Sequence, residues 1–264
     1  MYQIKKLIRY VKFILFIPRK VTKSPDNPNS VISDLFPIRN GYGWRTQFEL
    51  LNIPALICGS STSENSKVLF CFFDENGLEV SRENISIGSN ARNSISIPDD
   101  FKNIDNAATF SVFHSKLDEQ ILGSSNIAER GYCGYEFNNL EVRGYVHGNL
   151  DSVALKEDGT VETLGNIGLF PRKYLVQHVM KGPATYEFTL TNPSAKTVKV
   201  KVKVRDSKKW KLKEKIVVPS RGIRILSFPI SKHQNQKIKF VSRFYLGRPV
   251  VFRTTEGSMD VFHG

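Results

Sequence analysis

The sequence predicts an all-β protein made of two tandem antiparallel β-sandwich domains, an internal duplication, preceded by a short basic amphipathic helix. Two observations lead to this prediction. Short strand-like runs follow one another at hairpin spacing after residue 30, and the second half of the chain repeats their order. The 264 residues are 40% hydrophobic and 11% aromatic, a globular composition that excludes a disordered, collagen-like or coiled-coil chain.

Four segments follow from these patterns: a basic helix at 1–23, a linker at 24–30, a first sandwich at 31–150 and a second at 151–264. The linker consists of turn-forming Ser, Pro, Asp and Asn without periodicity. A repeat of about 115–140 residues has the size of a domain and is too long for a solenoid unit. We therefore expect two copies of one antiparallel fold.

The first 23 residues contain seven basic and no acidic side chains. Apolar residues recur at helical spacing with most basic residues on the other side, which is typical of a helix lying on an anionic membrane. The residues expected to face the membrane are Ile4, Lys5, Lys6, Leu7, Ile8, Arg9, Val11 and Lys12. A helix packed on the protein or on a partner, and a cleaved signal peptide, are the open alternatives, while no run of 18 apolar residues predicts a spanning helix.

The duplication is predicted from the order of several weak matches. In the first half the runs are 46–52, 68–73, 85–87, 94–97 and 108–113. Their counterparts in the second half are 186–192, 198–205, 216–222, 223–228 and 239–244. Even the ends match, because Val146-His-Gly148 closes one half and Phe262-His-Gly264 closes the other.

The second copy also resembles the small sandwich of the sensory rhodopsin transducer family. The residues that carry this resemblance are Leu190, Asn192, Pro193, Val198, Val200, Val202, Val218, Pro219, Arg221, Pro249, Val250 and Val251. The resemblance covers about 80 residues and implies a fold and an oligomeric binding module, not an enzyme. This chain departs from that family in having two copies and a basic N-terminal segment.

Charge is divided unevenly along the chain. Residues 24–150 carry nine basic and 16 acidic side chains, whereas residues 151–264 carry 22 basic and nine acidic ones. In the second half, lysine or arginine alternates with other residues over two successive runs, so each run should direct its cations to one face. In a suitable hairpin register, eight cations would form one anion-binding face: Lys199, Lys201, Lys203, Arg205, Lys209, Lys211, Lys213 and Lys215.

The equivalent strand of the first copy is apolar on both faces. Leu69, Cys71 and Phe73 stand where the second copy has lysines, and the alternate positions are apolar as well. Because such a strand is normally covered on both faces, we expect this surface to be an interface between copies or subunits. A homo-oligomer or a partner protein is the corresponding expectation.

Three anionic ligands fit the lysine-rich hairpin: nucleic acid, anionic lipid and cell-envelope polysaccharide. Against nucleic acid, only Trp210 interleaves with the cations, and no recognised nucleic-acid-binding motif is present. A solvated lysine edge that prevents aggregation of exposed strands is the non-functional alternative.

Catalytic, cofactor and metal motifs are not recognised in the sequence, so we expect a non-enzymatic protein with no cofactor. The three cysteines are widely spaced without a CxxC pair, which favours a reducing compartment over a zinc site or a disulfide framework. Aromatic, histidine and amide side chains of one segment are candidates for sugar contact. They are Tyr132, Tyr135, Tyr145, His147 and Asn149.

The leading functional prediction is a binding or scaffolding module at an anionic surface, cytoplasmic and peripheral to the inner face of the membrane. A nucleic-acid-binding module that uses the same hairpin is the first alternative. A carbohydrate-binding or cell-envelope polysaccharide-related protein that uses the aromatic segment is the second. The formal net charge of +13 predicts an anionic binding partner but does not identify that partner.

Overall fold

The structure is a computed structural model. The residues that it describes are 21–27, 30–52, 67–88, 92–97, 108–114, 131–138, 140, 142–148, 152–205, 209–244 and 249–264. Every regular element among them is a β-strand, which confirms the all-β prediction. Residues 1–20 of the predicted helix lie outside the described residues. Its last residues, 21–23, are extended along residues 164–166, with Lys23 N–H donating to the Leu164 carbonyl at 2.8 Å, so the helix prediction is wrong there.

Twenty strands are described. The first eleven are β1 (Val31–Ser33), β2 (Phe36–Ile38), β3 (Trp44–Leu51), β4 (Lys67–Phe73), β5 (Glu79–Ser86), β6 (Arg92–Ser96), β7 (Ala108–His114), β8 (Tyr132–Phe137), β9 (Gly144–His147), β10 (Val153–Leu155) and β11 (Val161–Thr163). The others are β12 (Ile167–Leu175), β13 (Met180–Lys181), β14 (Ala184–Thr191), β15 (Val198–Arg205), β16 (Lys211–Val218), β17 (Ile223–Ile230), β18 (Asn235–Phe244), β19 (Val250–Thr254) and β20 (Met259–His263).

These strands form five small sheets, and every strand pairing within them is antiparallel. Sheet 1 has the order β1-β10-β11, sheet 2 the order β2-β7-β4-β5 and sheet 3 the order β6-β3-β8-β9. Sheet 4 has the order β12-β18-β15-β16, with β13 also on β18, and sheet 5 the order β17-β14-β19-β20. The sheets follow one another around the molecule in the arrangement of a β-propeller.

The largest core lies between sheets 2 and 3. The strands of both sheets alternate, so that Phe48 and Leu50 of β3 meet Phe70 and Phe72 of β4. Phe110 of β7 stands at the centre, edge-to-face with Phe48 at 5.3 Å and stacked with Phe70 at 5.9 Å. Aromatic pairs at these separations stabilise a core by about 0.5–1.5 kcal/mol beyond their buried area.

A second core lies between sheets 4 and 5. Valines of β15 alternate inward against Phe188 of β14 and Phe240 of β18, whose rings are 5.8 Å apart. Sheet 5 also contributes to the first core, because Phe252 of β19 packs on Trp44 at 4.9 Å and on Tyr135 at 4.8 Å. The two halves thus share buried contacts, and the prediction of two tandem sandwich domains is not confirmed.

The strand order is nevertheless the same in the two halves. Sheets 2 and 3 use eight strands, β2 to β9, in the order that sheets 4 and 5 repeat from β12 to β20, with β13 as the one addition. Each of the five runs that were matched in the sequence occupies the same place in both sets: β3 with β14, β4 with β15, β5 with β16, β6 with β17 and β7 with β18. The two matched ends, β9 and β20, also correspond.

Turns of the first half fit against turns of the second. Gly77 adopts a φ of 79°, and a Cβ at this position would stand 1.8 Å from the Ser220 carbonyl oxygen, so only glycine fits there. The Arg224 guanidinium donates to the Glu75 carbonyl at 2.8 Å. A partly buried ion pair also joins the two halves, with Arg39 Nη2 and the Glu187 carboxylate 3.1 Å apart. These contacts join the first half to sheet 5 and to the turn between β16 and β17.

Candidate anion-binding face

The outer face of sheet 4 carries most of the cations that the sequence analysis assigned to an anion-binding face. β15 alternates valine and cation, and its first three valines are buried whereas Lys199 and Lys201 are exposed. The lysines therefore leave the sheet on the side opposite to the second core. Lys203 and Arg205 continue the same alternation and are partly buried.

The hairpin of β15 and β16 forms, but not in the register that would place eight cations on one face. Lys215 pairs with Lys201, whereas a bulge between Val202 and Lys203 shifts the next pairs. Beyond the bulge Leu212 stands opposite Lys203, and Lys211 stands opposite Val204. The expected register is wrong because one extra residue in a strand reverses the face of every later side chain.

The remaining predicted cations lie at the edge of this face. Lys213 is the extra residue of the bulge, because Glu214 and Leu212 pair with consecutive residues of β15. Lys209 is exposed just before β16 begins. Of the eight predicted residues, five therefore share the outer face: Lys199, Lys201, Lys203, Arg205 and Lys215.

Two neighbouring strands add cations that the sequence reasoning missed. Lys239 of β18 pairs with Lys203, and Lys237 pairs with Arg205. Lys173 of β12 pairs with Val241, which itself pairs with Lys201. Alternation in 237–243 was a readable signal, but only the sheet order shows that β18 lies beside β15.

We call the resulting surface the basic face. It consists of Lys173, Lys199, Lys201, Lys203, Arg205, Lys215, Lys237, Lys239 and Arg243. Within the described ranges, no carboxylate lies within 4 Å of any of these charged groups. A surface with so many cations and no described acidic partner attracts anions.

Electrostatic crowding is visible at Lys239. Desolvation lowers the pKa of this ammonium group, and the positive charges of Lys173, Lys203 and Arg205 lower it further. Its nitrogen is 4.0 Å from the ring centroid of Trp210, and the Arg205 guanidinium carbon is 5.1 Å from the same ring. Trp210 thus packs against cations of the face, which leaves its ring less available to a nucleic-acid base.

An open groove of about 720 Å³ runs across one end of the basic face. Lys199, Lys201 and Arg243 line it, together with Val241 between them. Gly165 and Pro171 of the neighbouring segment form part of its rim. The groove therefore combines cations with a partly apolar wall, a composition suited to an anionic ligand with an apolar portion.

The predicted interface strand is covered within the chain. Cys71 and Phe73 are completely buried against Leu35, Phe113 and sheet 1, and Leu69 is partly buried there. The Arg221 guanidinium of the second half lies 5.1 Å from the Phe73 ring. Cys71 and Phe73 are therefore covered by residues of the same chain, and a contact of this strand with a second subunit stays a prediction.

The candidate sugar-contact residues divide between the core and the surface. Tyr135 is buried and donates to the Pro37 carbonyl at 2.8 Å, so it is a core residue. Tyr132, Tyr145 and His147 are exposed on the outer face of sheet 3, where the ring of Tyr145 is 6.0 Å from the guanidinium carbons of both Arg92 and Arg143. Asn149 lies outside the described residues.

The other predicted features have few structural counterparts. Ile4, Lys5, Lys6, Leu7, Ile8, Arg9, Val11 and Lys12 all lie outside the described residues. Cys71 and Cys133 are free thiols, and burial raises the pKa of Cys71 to about 11.

The described ranges contain no cluster of three His, Cys, Asp or Glu side chains arranged to hold a metal ion. In the same part of the chain no helix has the length and apolar character needed to cross a membrane.

Searches against protein-family models and against curated protein sequences found no match to this chain.

Proposed function

We propose that this protein is a non-enzymatic binding module that attaches to the anionic cytoplasmic face of a membrane through the basic face of sheet 4. The observation that supports this proposal is the set of nine cations on four neighbouring strands with no carboxylate within 4 Å among the described residues. Anionic lipids attract such surfaces by about 1 kcal/mol for each Lys or Arg near the bilayer.

The cost of assembling this face favours a functional role. Lys201 stands directly opposite Lys215, Lys203 opposite Lys239, and Arg205 opposite Lys237. Like charges at facing positions destabilise a sheet, by up to about 1 kcal/mol for each pair. A bound anionic surface would neutralise both cations of each pair and so offset this repulsion. Water and salt ions at an exposed face offset the repulsion only in part.

The attachment point of the N-terminal segment supports the same orientation. Asn166 N–H donates to the Val21 carbonyl at 2.9 Å, and Thr22 bridges to Gly165, a residue of the groove rim. Residues 1–20, with six basic and no acidic side chains, therefore join the described part of the chain beside the basic face.

Flotation with vesicles tests this proposal. The full chain should float with vesicles of phosphatidylcholine and phosphatidylglycerol and not with phosphatidylcholine alone. The double substitution Lys203→Glu and Lys239→Glu should lower the bound fraction at least tenfold, because it reverses two charges at the centre of the face. The matched control reverses two exposed lysines that lie outside sheet 4, Lys67→Glu and Lys232→Glu.

Equal losses in the two double variants would show that net charge alone drives binding and would contradict a role for the basic face. Deletion of residues 1–20 should weaken flotation, and unchanged binding would remove that segment from the proposal. Capture of duplex DNA in preference to vesicles, with a steep decrease in affinity as salt increases, would favour the nucleic-acid alternative instead.

We further propose that the chain is a tandem duplication of one two-sheet sandwich, because the strand order of sheets 2 and 3 recurs in sheets 4 and 5. The resemblance of the second copy to the sensory rhodopsin transducer family remains a prediction about fold.

Carbohydrate binding is a second candidate, favoured by one observation on sheet 3. The exposed rings of Tyr132 and Tyr145 lie on one face with His147, and the guanidinium groups of Arg92 and Arg143 lie near Tyr145. Exposed flat aromatic rings are suited to stacking on a sugar ring, while the two guanidinium groups are paired with Glu49 and Glu136. A glycan array should then show binding that Tyr145→Ala abolishes and Tyr42→Ala, an exposed tyrosine elsewhere, does not.

A further inference from the structure

The groove on the basic face has a wall built by an irregularity of β12. Ile167 pairs with Phe244 and Arg172 with Ser242, so residues 168–171 stand opposite Arg243 alone. This segment, which we call the arch, must leave the plane of the sheet. Arg243 Nε donates to the Gly168 carbonyl at 3.0 Å and ties the arch to the sheet.

The arch presents two large apolar side chains to solvent. Leu169 is 63% exposed and Phe170 is 52% exposed. Pro171, the next residue, lines the groove. Exposed neighbouring apolar side chains beside a cluster of cations are the arrangement by which peripheral proteins enter the boundary between headgroups and acyl chains.

Cations line the groove itself, and among its lining residues, all in the described ranges, there is no carboxylate. The four lining cations are Lys196, Lys199, Lys201 and Arg243. Arginine and lysine together are suited to phosphate oxygens, since the guanidinium donates to two oxygens at once and the ammonium adds a compact charge. A groove of about 720 Å³ is also large enough for one lipid headgroup.

We propose that this groove binds the phosphate-bearing headgroup of a single anionic lipid while Leu169 and Phe170 enter the bilayer. This inference rests on the proposed attachment to an anionic membrane and adds a defined lipid site to it. A lipid is a better occupant than a free phosphate compound because the apolar arch and the attachment point of residues 1–20 lie at the same rim.

The test compares two pairs of neutralising substitutions on the same face. Lys199→Gln with Lys201→Gln removes two cations of the groove, and Arg205→Gln with Lys237→Gln removes two cations outside it. Both pairs lose the same diffuse attraction to vesicles of phosphatidylcholine and phosphatidylglycerol. The groove pair should lose about tenfold more affinity, because it also loses charge-assisted hydrogen bonds to the headgroup.

Salt separates the two contributions. At about 0.5 M NaCl the diffuse attraction is largely screened, and the difference between the two pairs should persist. Equal losses at low and high salt would overturn the groove site and leave membrane attachment by the basic face intact. Failure of the unmodified chain to bind vesicles would overturn both.

A third variant tests the role of the arch. Leu169→Ser with Phe170→Ser should weaken vesicle binding about tenfold and leave inhibition by soluble glycerol phosphate unchanged. Unchanged vesicle binding, combined with saturable binding of glycerol phosphate, would identify a soluble phosphate compound as the occupant and overturn the lipid. Circular dichroism and thermal unfolding should show that all variants keep the fold.

Discussion

The β4–β5 hairpin of sheet 2 and the β15–β16 hairpin of sheet 4 occupy the same position in the repeated strand order but have opposite surfaces. The outer face of β4 carries Leu69, Cys71 and Phe73, and sheet 1 covers it. The outer face of β15 carries lysines, and the groove of about 720 Å³ lies on it. The corresponding hairpin is thus an internal contact in the first half and an exposed charged surface in the second.

The difference shows how the presence of one additional sheet decides whether the outer face of the hairpin is buried or exposed. Sheet 1 is built from β1, which precedes the first copy, and from β10 and β11, which follow it. In the second half, the described residues include no sheet over the equivalent face. The face that is left uncovered had to become polar, and here it became cationic, which made it suitable for anions.

The largest expected effect comes from placing a lysine on the covered outer face of β4, where the corresponding face of β15 carries lysines. Cys71→Lys should lower the free energy of unfolding by about 4 kcal/mol, because it places an ammonium group in a site with no exposure to solvent. Urea denaturation would measure the change. The converse substitution, Lys201→Val, should change the free energy of unfolding by less than about 1 kcal/mol. If Cys71→Lys also cost less than about 1 kcal/mol, sheet 1 would not exclude water from this face.

Acid should affect the first half more than the basic face. Burial lowers the pKa of His114 on β7 to about 4, below its ordinary value of 6.5. As the pH falls, His114 therefore takes up a proton in the unfolded chain at a higher pH than in the folded chain. The free energy of unfolding should be highest above pH 6.5 and should decrease by about 3 kcal/mol as the pH is lowered toward 4.

Unfolding measured between pH 7 and pH 4 would test this dependence. His114→Gln should flatten it, whereas His233→Gln, at an exposed turn, should not. An unchanged slope in His114→Gln would refute the assignment.

A smaller effect is expected where the two halves are joined. Arg39→Met should cost about 2 kcal/mol, less than the 3–5 kcal/mol typical of a fully buried pair, because the Glu187 side chain is 19% exposed. Arg253→Met, which breaks the exposed pair with Asp260, should cost less than about 0.5 kcal/mol. Hydrogen exchange should show faster opening in both halves of Arg39→Met. Faster exchange in only one half would show that the pair does not couple them.

The smallest expected effect is a gain. Lys215→Glu replaces a repulsive pair with Lys201 by an attractive one and should raise the free energy of unfolding by about 0.2–1 kcal/mol at low salt. The gain should disappear in about 0.5 M NaCl. Lys213→Glu, at the bulge, is the matched control and should give a smaller gain, since no residue of β15 stands opposite it.

Local patterns were sufficient to predict much of the fold. The alternation in 198–205 predicted that the cations of this run share one face, and Val198, Val200 and Val202 are buried on the other face. Asp158-Gly159 is a pair typical of tight hairpin turns, and Gly159 has a φ of 81° between β10 and β11. The bulge in β16 was not predictable, because the lysine alternation continues unbroken through the residue at which the register shifts. The sequence reasoning also missed that sheet 1 covers Cys71. This sheet forms only when Val31 of β1 pairs with Leu155 of β10, which lies more than a hundred residues later in the chain.

Because β1 pairs with β10, sheet 1 can form only after most of the first half has been synthesised. When a ribosome has produced only the strands of sheets 2 and 3, the outer side of β4 has no partner, because β10 and β11 have not yet left the exit tunnel. Until residue 163 emerges and sheet 1 can close over Leu69 and Phe73, the nascent first half exposes an apolar strip of the kind that chaperones recognise. The lysine-bearing counterpart in the second half passes through no such stage, so the two copies place different demands on the folding machinery of the cell.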